Sequence, residues 1–139
     1  MHPRFHLAFP IQDIAETEAF YVNILGATTG RQAERWIDFD FWGHQLSAHV
    51  VDEADRAEPS NPVDGQDVPV RHFGVILEWQ AWHALRDRLV AARTRFIIEP
   101  QIRFAGKTGE QATMFFLDPS GNALEFKAFA DEAAVFERG

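Results

Sequence analysis

The chain has 139 residues, a formal net charge of −8 and no cysteine, and this length suits one compact domain or two half-domains that share a core. The acidic charge argues against a nucleic-acid or membrane-surface partner, and the lack of cysteine excludes disulfides, thiolate nucleophiles and cysteine-ligated metals. Because no apolar run approaches the roughly 18 residues of a spanning helix and no signal peptide is recognisable, we expect a cytoplasmic protein.

The first half of the chain predicts a strand, a helix and further strands. Residues 5–9 alternate large apolar side chains with other residues, which indicates a strand. Asp13 is a suitable N-cap, and the apolar spacing after it predicts a helix that Gly26 closes. Strict alternation over 35–41 (RWIDFDF) predicts the next strand, and residues 45–51 predict another.

A polar, proline-containing segment, 52–70, predicts one long loop between two halves of the chain. We therefore expect a single domain, 1–139, made of a module at about 1–58 and a second at about 68–130.

The second half repeats the pattern of the first. Residues 71–78 predict a strand, and the apolar spacing in 80–93 predicts a helix. Strands are expected at 96–98 and 112–117, with a mobile loop at 101–110 between them.

The last predicted strand carries the residue on which the functional interpretation depends. The turn sequence Asp-Pro-Ser-Gly at 118–121 leads into an alternating run, 122–129, and a short amphipathic helix is expected after it. Glu125 lies in the middle of this run, among large apolar neighbours. An ionised carboxylate is rarely placed there unless it is paired or bound to a metal, so we interpret Glu125 as a metal ligand.

An internal repeat supports this interpretation. Both halves have the order strand, helix, then three strands, and segment 40–47 aligns with 118–125. His6 and His72 open the first strand of each half, and Ser47 aligns with Glu125.

Two βαβββ halves related by a pseudo-twofold would bring their first and last strands together, with His6, Ser47, His72 and Glu125 facing inward. Three of these four residues can bind a metal. Two imidazoles and one carboxylate suit non-haem Fe(II) and leave positions for substrate and O₂. A carboxylate at position 47 would complete a closed set of two His and two Glu ligands, which is typical of Zn or Ni. Because serine is a poor ligand, Ser47 favours iron.

Two more residues on these strands are candidates for chemistry. His49 lies two residues beyond Ser47 on the same strand face, and we consider it the acid/base catalyst. A histidine at the rim of the cavity or a substitute metal ligand is the alternative. Lys127 shares the face of Glu125 and could balance an anionic substrate, although an outward lysine is common.

The chain resembles the vicinal oxygen chelate superfamily of glyoxalases, bleomycin-resistance proteins, fosfomycin-resistance enzymes and type I extradiol dioxygenases. The resemblance is carried by HLAFPIQDIAETEAFYVNILG, RHFGVILEWQAWHALRDRL and FFLDPSGNALEFKAF, and it is strongest to small extradiol-type dioxygenases. It implies an α+β fold in which two paired βαβββ modules form a curved mixed sheet around a metal-binding cavity. It also implies a metal on His6, His72 and Glu125, a small-molecule substrate that chelates the metal through vicinal oxygens, and a homodimer.

Three functions follow from this resemblance. The first is an Fe(II)-dependent extradiol-type dioxygenase acting on a catechol-like vicinal diol. His49 would then assist deprotonation, Ser47 and Lys127 would contact the substrate, and an apolar wall would hold the ring, with Trp36, Phe39 and Phe115 as its candidates. The second is a glyoxalase-like isomerase or lyase that uses Zn, Ni or Mn. The third is a metal-free binding protein of the bleomycin-resistance type.

Overall fold

The computed structural model describes residues 2–52, 60–63 and 66–138. The chain divides into two compact units. Unit 1 comprises Met1–Glu58 and Asp118–Asn122, and unit 2 comprises Pro59–Leu117 and Ala123–Gly139. Each unit contains a mixed sheet with a helix between its first strand and its later strands. The predicted α+β fold with paired βαβββ modules is therefore correct.

Unit 1 contains one sheet with the strand order β1-β4-β3-β2. Its elements are β1 (His6–Ile11), α1 (Ile14–Glu18) with a wider π-helical continuation (Ala19–Ile24), β2 (Thr28–Gln32), β3 (Trp36–Phe41) and β4 (His44–Val50). β1 runs parallel to β4, whereas β3 is antiparallel to both of its neighbours. The Asp13 carboxylate accepts a 2.8 Å hydrogen bond from the backbone N–H of Glu16, so the predicted N-cap is present. The helical segment ends at Gly26, which has a φ of 83°.

The core of unit 1 is built around Tyr21, which is fully buried. Its ring stacks on Phe39, with 5.2 Å between the ring centroids. Its hydroxyl donates a 2.9 Å hydrogen bond to Oδ2 of Asp118. Burial raises the pKa of Asp118, although hydrogen bonds from Asn122, Tyr21 and Ser120 oppose the shift. Burial and the nearby Asp118 carboxylate likewise raise the pKa of Tyr21 well above its usual range.

Unit 2 contains a sheet with the order β7-β11-β10-β9, in which β8 also pairs with β11, and a separate β5-β6 hairpin. Its elements are β5 (Ser60–Val63), β6 (Gln66–Pro69), β7 (His72–Phe73), β8 (Ile76–Leu77), α2 (Trp79–Ala91), β9 (Phe96–Arg103), β10 (Gln111–Leu117), β11 (Ala123–Phe129) and a 3₁₀ turn (Glu132–Phe136). As β1 does with β4 in unit 1, β7 and β8 run parallel to β11, and the remaining pairs of this sheet are antiparallel. No helix among the described residues is long and apolar enough to cross a membrane.

Three local predictions need correction, and one strand was not predicted. The segment 52–70 is not one loop, because its described part forms the β5-β6 hairpin, while residues 53–59 and 64–65 of that prediction lie outside the described residues. β2 was not located from the sequence, because all five of its residues are exposed and show no apolar alternation.

The other two corrections concern unit 2. β9 extends through Arg103, so the predicted loop at 101–110 begins later. Pro100 is tolerated because β9 is the edge strand of its sheet. The predicted strand 71–78 is broken into β7 and β8 at Gly74.

Candidate functional site

Glu125 lies in the middle of β11, as its sequence pattern predicts. Leu124 and Phe126 on either side of it are fully buried, whereas the Glu125 side chain keeps 20% of its surface exposed on the opposite face. Its Oε1 lies 3.5 Å from Nε2 of His72 and 3.9 Å from Nζ of Lys127. The carboxylate is therefore accessible to a ligand and is bordered by an imidazole and an ammonium group.

The position of Glu125 is set by contacts to both its backbone and its side chain. The Thr113 hydroxyl donates a 2.8 Å hydrogen bond to Oε2. A Cβ at Gly74 would lie 1.7 Å from the carbonyl oxygen of Glu125, so only glycine permits this approach of the two backbones. The indole N–H of Trp82 donates a 2.9 Å hydrogen bond to the next carbonyl, that of Phe126, and so joins α2 to β11.

His72 is held so that its Nε2 faces Glu125. Its Nδ1 lies 3.0 Å from the carbonyl oxygen of Pro69. Because a carbonyl oxygen only accepts hydrogen bonds, Nδ1 carries the proton, and in the neutral ring Nε2 presents a lone pair. The ring also packs edge-on against Phe115, with a centroid distance of 4.7 Å.

His6 in unit 1 is protonated on the same ring nitrogen as His72. Its Nδ1 lies 2.8 Å from Oε1 of Gln45, another oxygen that only accepts, so its Nε2 also carries a lone pair. His6 is exposed on the face of the sheet opposite the buried Phe9 and Ile11. In this tautomer Nε2 is able to bind a metal, while an outer oxygen holds the second nitrogen, as is usual for metal-binding histidines.

The strand registers repeat between the units. His6 pairs with Gln45, two residues before Ser47, and His72 pairs with Ala123, two residues before Glu125. Ser47 therefore occupies in unit 1 the place that Glu125 occupies in unit 2, in agreement with the alignment made from the sequence.

Ser47 has a partner that the sequence analysis missed. Its hydroxyl donates a 2.6 Å hydrogen bond to Oδ1 of Asp38, the residue opposite it on β3. The alternation of RWIDFDF was the signal that could have revealed Asp38, since it places this residue on the face opposite Ile37 and Phe39. No sequence signal pointed to Gln45 or Thr113, which orient His6 and Glu125.

The remaining predicted site residues lie in different surroundings. His49 is exposed on the same face as Ser47, and Trp36 pairs with it across β3 and β4. Phe115 lies on the face of Glu125, directly opposite it. Phe39 lies on the other face of its sheet, where its buried ring packs on Tyr21, so it contributes to the core of unit 1.

Within unit 2 the structure brings together His72, Glu125, Lys127 and Phe115, and within unit 1 it places His6, Ser47, His49 and Trp36 on one sheet face. Among the residues that the structure describes, no three or more His, Asp or Glu side chains form a group able to hold a metal ion.

The His72 and Glu125 pair nevertheless fits a divalent metal. Two ligands of one ion, each about 2.0–2.2 Å from it, can be separated by the 3.5 Å observed between Nε2 and Oε1. The Nδ1–H of His72 donates to the Pro69 carbonyl, and Oε2 of Glu125 accepts from the Thr113 hydroxyl. Metal-binding imidazoles and carboxylates usually have outer hydrogen bonds of this kind.

Comparison with known proteins identifies the family. Residues 5–126 match the model of the Glyoxalase/Bleomycin resistance protein/Dioxygenase superfamily. The chain belongs to this superfamily. It is the vicinal oxygen chelate superfamily that the sequence resembles, so that prediction is correct. Its members include glyoxalases, fosfomycin-resistance proteins and dioxygenases, they typically bind a divalent metal and a small-molecule substrate, and they often form dimers.

Solved structures of the superfamily match nearly the whole chain. A glyoxalase/bleomycin resistance protein/dioxygenase from Alicyclobacillus acidocaldarius is 33% identical, with a TM-score of 0.78 over 96% of both chains. The fosfomycin resistance protein FosX from Listeria monocytogenes is 16% identical, with a TM-score of 0.71 over 96% of this chain and 98% of that one. A lactoylglutathione lyase from Agrobacterium tumefaciens is 18% identical, with a TM-score of 0.62 over 91% and 92%. The last two likenesses show the fold alone. None of the curated proteins searched matches the chain.

Proposed function

We propose that this superfamily member is a metal-dependent extradiol-type dioxygenase that acts on a catechol-like vicinal diol, with Fe(II) as its metal. His72 and Glu125 of unit 2 would hold the metal, and His6 of unit 1 would be the third ligand, supplied by the same chain or by the second chain of a homodimer. The arrangement of His72 toward Glu125 carries this proposal.

The distance between these two side chains is the reason. With the proton of His72 on Nδ1, an imidazole lone pair and a carboxylate oxygen face each other at 3.5 Å, and this contact is repulsive. A protonated imidazole would form a charge-assisted hydrogen bond, for which about 2.7–2.9 Å is usual. A divalent cation bound to both atoms turns the contact into an attractive one and is compatible with the observed spacing.

The choice of iron depends on the residue at the fourth inward-facing position, beside His6, His72 and Glu125. Ser47 occupies the place equivalent to Glu125, and its hydroxyl is already committed to Asp38 at 2.6 Å. Two imidazoles and one carboxylate then form the protein's ligand set, which is typical of non-haem Fe(II) sites with open positions. Fe(II) held in this way would supply the redox chemistry with O₂ that the side chains cannot.

The other residues would bind the substrate and move its proton. Phe115, packed against His72, and Trp36, beside His49, would provide apolar surface for a ring. His49 would accept the proton of a substrate hydroxyl, because an imidazole exchanges protons near neutral pH. Lys127 would balance the negative charge of the deprotonated diol, and Ser47 would contact its oxygens.

Asp38 gives specific support to a second function, a glyoxalase-like isomerase or lyase using Zn, Ni or Mn. The sequence alignment left no carboxylate at the position of Ser47, but the structure places the Asp38 carboxylate in hydrogen-bond contact with it. A carboxylate on this face could serve as the base in a proton transfer.

Metal analysis of protein purified without oxygen distinguishes these functions. Iron, together with O₂ consumption on addition of a catechol, supports the dioxygenase. Zinc or nickel without O₂ consumption supports the isomerase. If iron-loaded protein consumes no O₂ with any of a panel of vicinal diols, the dioxygenase proposal is wrong.

A further inference from the structure

Unit 1 contains a cavity of about 340 Å³ between β2, β3, β4 and the residues before β1. It is formed in part by Arg4, by Arg31 on β2, and by His44 and Gln45 on β4. Gln45 is also the partner of His6 Nδ1, so one residue joins the cavity to a proposed metal ligand. The volume is at the lower end of the range for small-molecule sites, which is about 300–1,000 Å³.

The two arginines of the cavity, Arg4 and Arg31, are able to bind a carboxylate. Within the described part of the chain, the guanidinium groups of Arg4 and Arg31 form no hydrogen bond or ion pair. A guanidinium group presents a planar set of donors that matches both oxygens of a carboxylate.

The neighbouring neutral side chains add donors. The backbone N–H of Phe5 donates a 2.9 Å hydrogen bond to Nδ1 of His44, so the proton of the neutral imidazole is on Nε2. The Gln45 oxygen is engaged by His6, which leaves the Gln45 amide nitrogen able to donate.

The two acidic residues of the cavity suit a hydroxylated ligand. Asp38 and Asp40 offset the formal charge of the two arginines. One oxygen of each is already engaged, Asp38 by the Ser47 hydroxyl and Asp40 by the backbone N–H of Gly43 at 2.8 Å. The second oxygen of each carboxylate remains able to accept from a hydroxyl group.

We propose that this cavity binds the carboxylate of a small hydroxylated acid and that the substrate is therefore an acidic vicinal diol, such as a catechol carboxylate. The part of the proposal that concerns the diol depends on the proposed function. The carboxylate site itself does not, because it is formed by residues other than the proposed metal ligands.

Binding of three small aromatic ligands to the full chain tests the proposal. Catechol has only the diol, benzoate has only the carboxylate, and 3,4-dihydroxybenzoate has both. We expect 3,4-dihydroxybenzoate to bind about tenfold more tightly than catechol in calorimetric titrations, a gain typical of a charge-assisted contact. Equal affinities would overturn the proposal.

Arginine variants locate the binding site. Arg4→Gln and Arg31→Gln should each remove most of the preference for the carboxylated ligand. Arg35→Gln makes the same change of charge in unit 1 at an arginine outside the cavity lining, one that donates to the carbonyl of Val50, and it should keep the preference. A preference that survives in both cavity variants would show that the carboxylate binds elsewhere and would overturn the proposal.

Benzoate separates this inference from the proposed function, since it has no vicinal oxygens to chelate a metal. If benzoate binds metal-free protein and Arg31→Gln abolishes that binding, the carboxylate site is supported even when no diol is oxidised. If diols are oxidised with no advantage for a carboxylated one and benzoate does not bind, the carboxylate site is wrong and the dioxygenase assignment is retained.

Discussion

Gly74 passes so close to Glu125 that a Cβ on the glycine would lie 1.7 Å from the glutamate carbonyl oxygen. This approach occurs where the predicted strand 71–78 is broken into β7 and β8, both of which pair with β11. The backbone of Glu125, the residue proposed to bind the metal, and the break between β7 and β8 at Gly74 are thus in direct contact.

Gly74→Ala should therefore destabilise the protein by at least about 2 kcal/mol, because the clash involves a backbone oxygen that cannot rotate away. Urea unfolding measures the loss. Gly30→Ala is a matched control in a strand of unit 1, where the new Cβ would be 3.4 Å from Cβ of Asp38, an ordinary contact. If Gly74→Ala is as stable as Gly30→Ala, the close approach of the two backbones is wrong.

Metal binding by His72 can be tested against a second histidine with the same local hydrogen bond. In His83, Nδ1 lies 2.8 Å from the carbonyl of Trp79, but no carboxylate of the described residues pairs with its ring. His72→Ala should lose metal by at least about a hundredfold in affinity, and His83→Ala should retain it. Metal content after dialysis, with titration of Zn²⁺ or Fe²⁺, gives the comparison. Retained metal in His72→Ala would show that the ligand set is wrong.

The regular parts of this fold were predictable because a strand with one buried face shows a periodic alternation of apolar residues in its sequence. The alternation of residues 122–129 located β11 and placed Glu125 opposite its buried face. β2 shows no such alternation, since it is held at the sheet edge by backbone pairing and exposes every side chain. The β5-β6 hairpin was missed because the polar, proline-containing pattern of segment 52–70 predicts a loop.

The site was less predictable than the fold, because the groups that orient its residues are distant in the chain. His6 is held by Gln45 and Glu125 by Thr113, and both contacts depend on strand register. The break at Gly74 likewise arises from a tertiary contact, so the local pattern RHFGVILE still predicted one continuous strand.

Thr113→Val should weaken metal binding about tenfold while leaving the fold intact. The change keeps the shape of the side chain but removes the hydroxyl that donates to Oε2 of Glu125, an outer contact of the kind whose loss usually costs 10- to 100-fold. Thr94→Val is the control, because within the described part of the chain the buried Thr94 hydroxyl has no hydrogen-bond partner. That variant should bind metal normally and be at least as stable as the wild type. Equal metal affinity in both variants would contradict the role given to Thr113.

His49→Ala should lower turnover about a hundredfold and leave the metal content unchanged. General acid/base groups typically contribute 10²–10⁴-fold, and His49 is exposed on β4, two positions beyond Ser47. Parallel measurement of metal content and O₂ consumption separates the two effects. Loss of metal in this variant would make His49 a ligand, and unchanged turnover would make it a rim residue.

Tyr21→Phe should cost about 1.5–3 kcal/mol of stability at neutral pH, the usual contribution of a hydrogen bond to a charged group. The lost hydroxyl donates to the buried Asp118 carboxylate at 2.9 Å. Burial raises the pKa of Asp118 in the folded protein above its value in the unfolded chain. The stabilisation linked to protonated Asp118 is therefore fully present below the pKa of the unfolded state and is lost as pH rises through the pKa of the folded state.

The Tyr21 hydrogen bond lowers the pKa of Asp118 and so opposes that loss. The destabilisation by Tyr21→Phe should consequently be smaller at acidic pH, where more of Asp118 is protonated, and should grow as the carboxylate ionises with rising pH. Urea unfolding of both proteins between pH 4 and pH 8 measures this difference. In an Asp118→Asn background the difference should no longer depend on pH. A cost that stays constant with pH in the wild-type background would mean that the hydroxyl does not interact with an ionised Asp118.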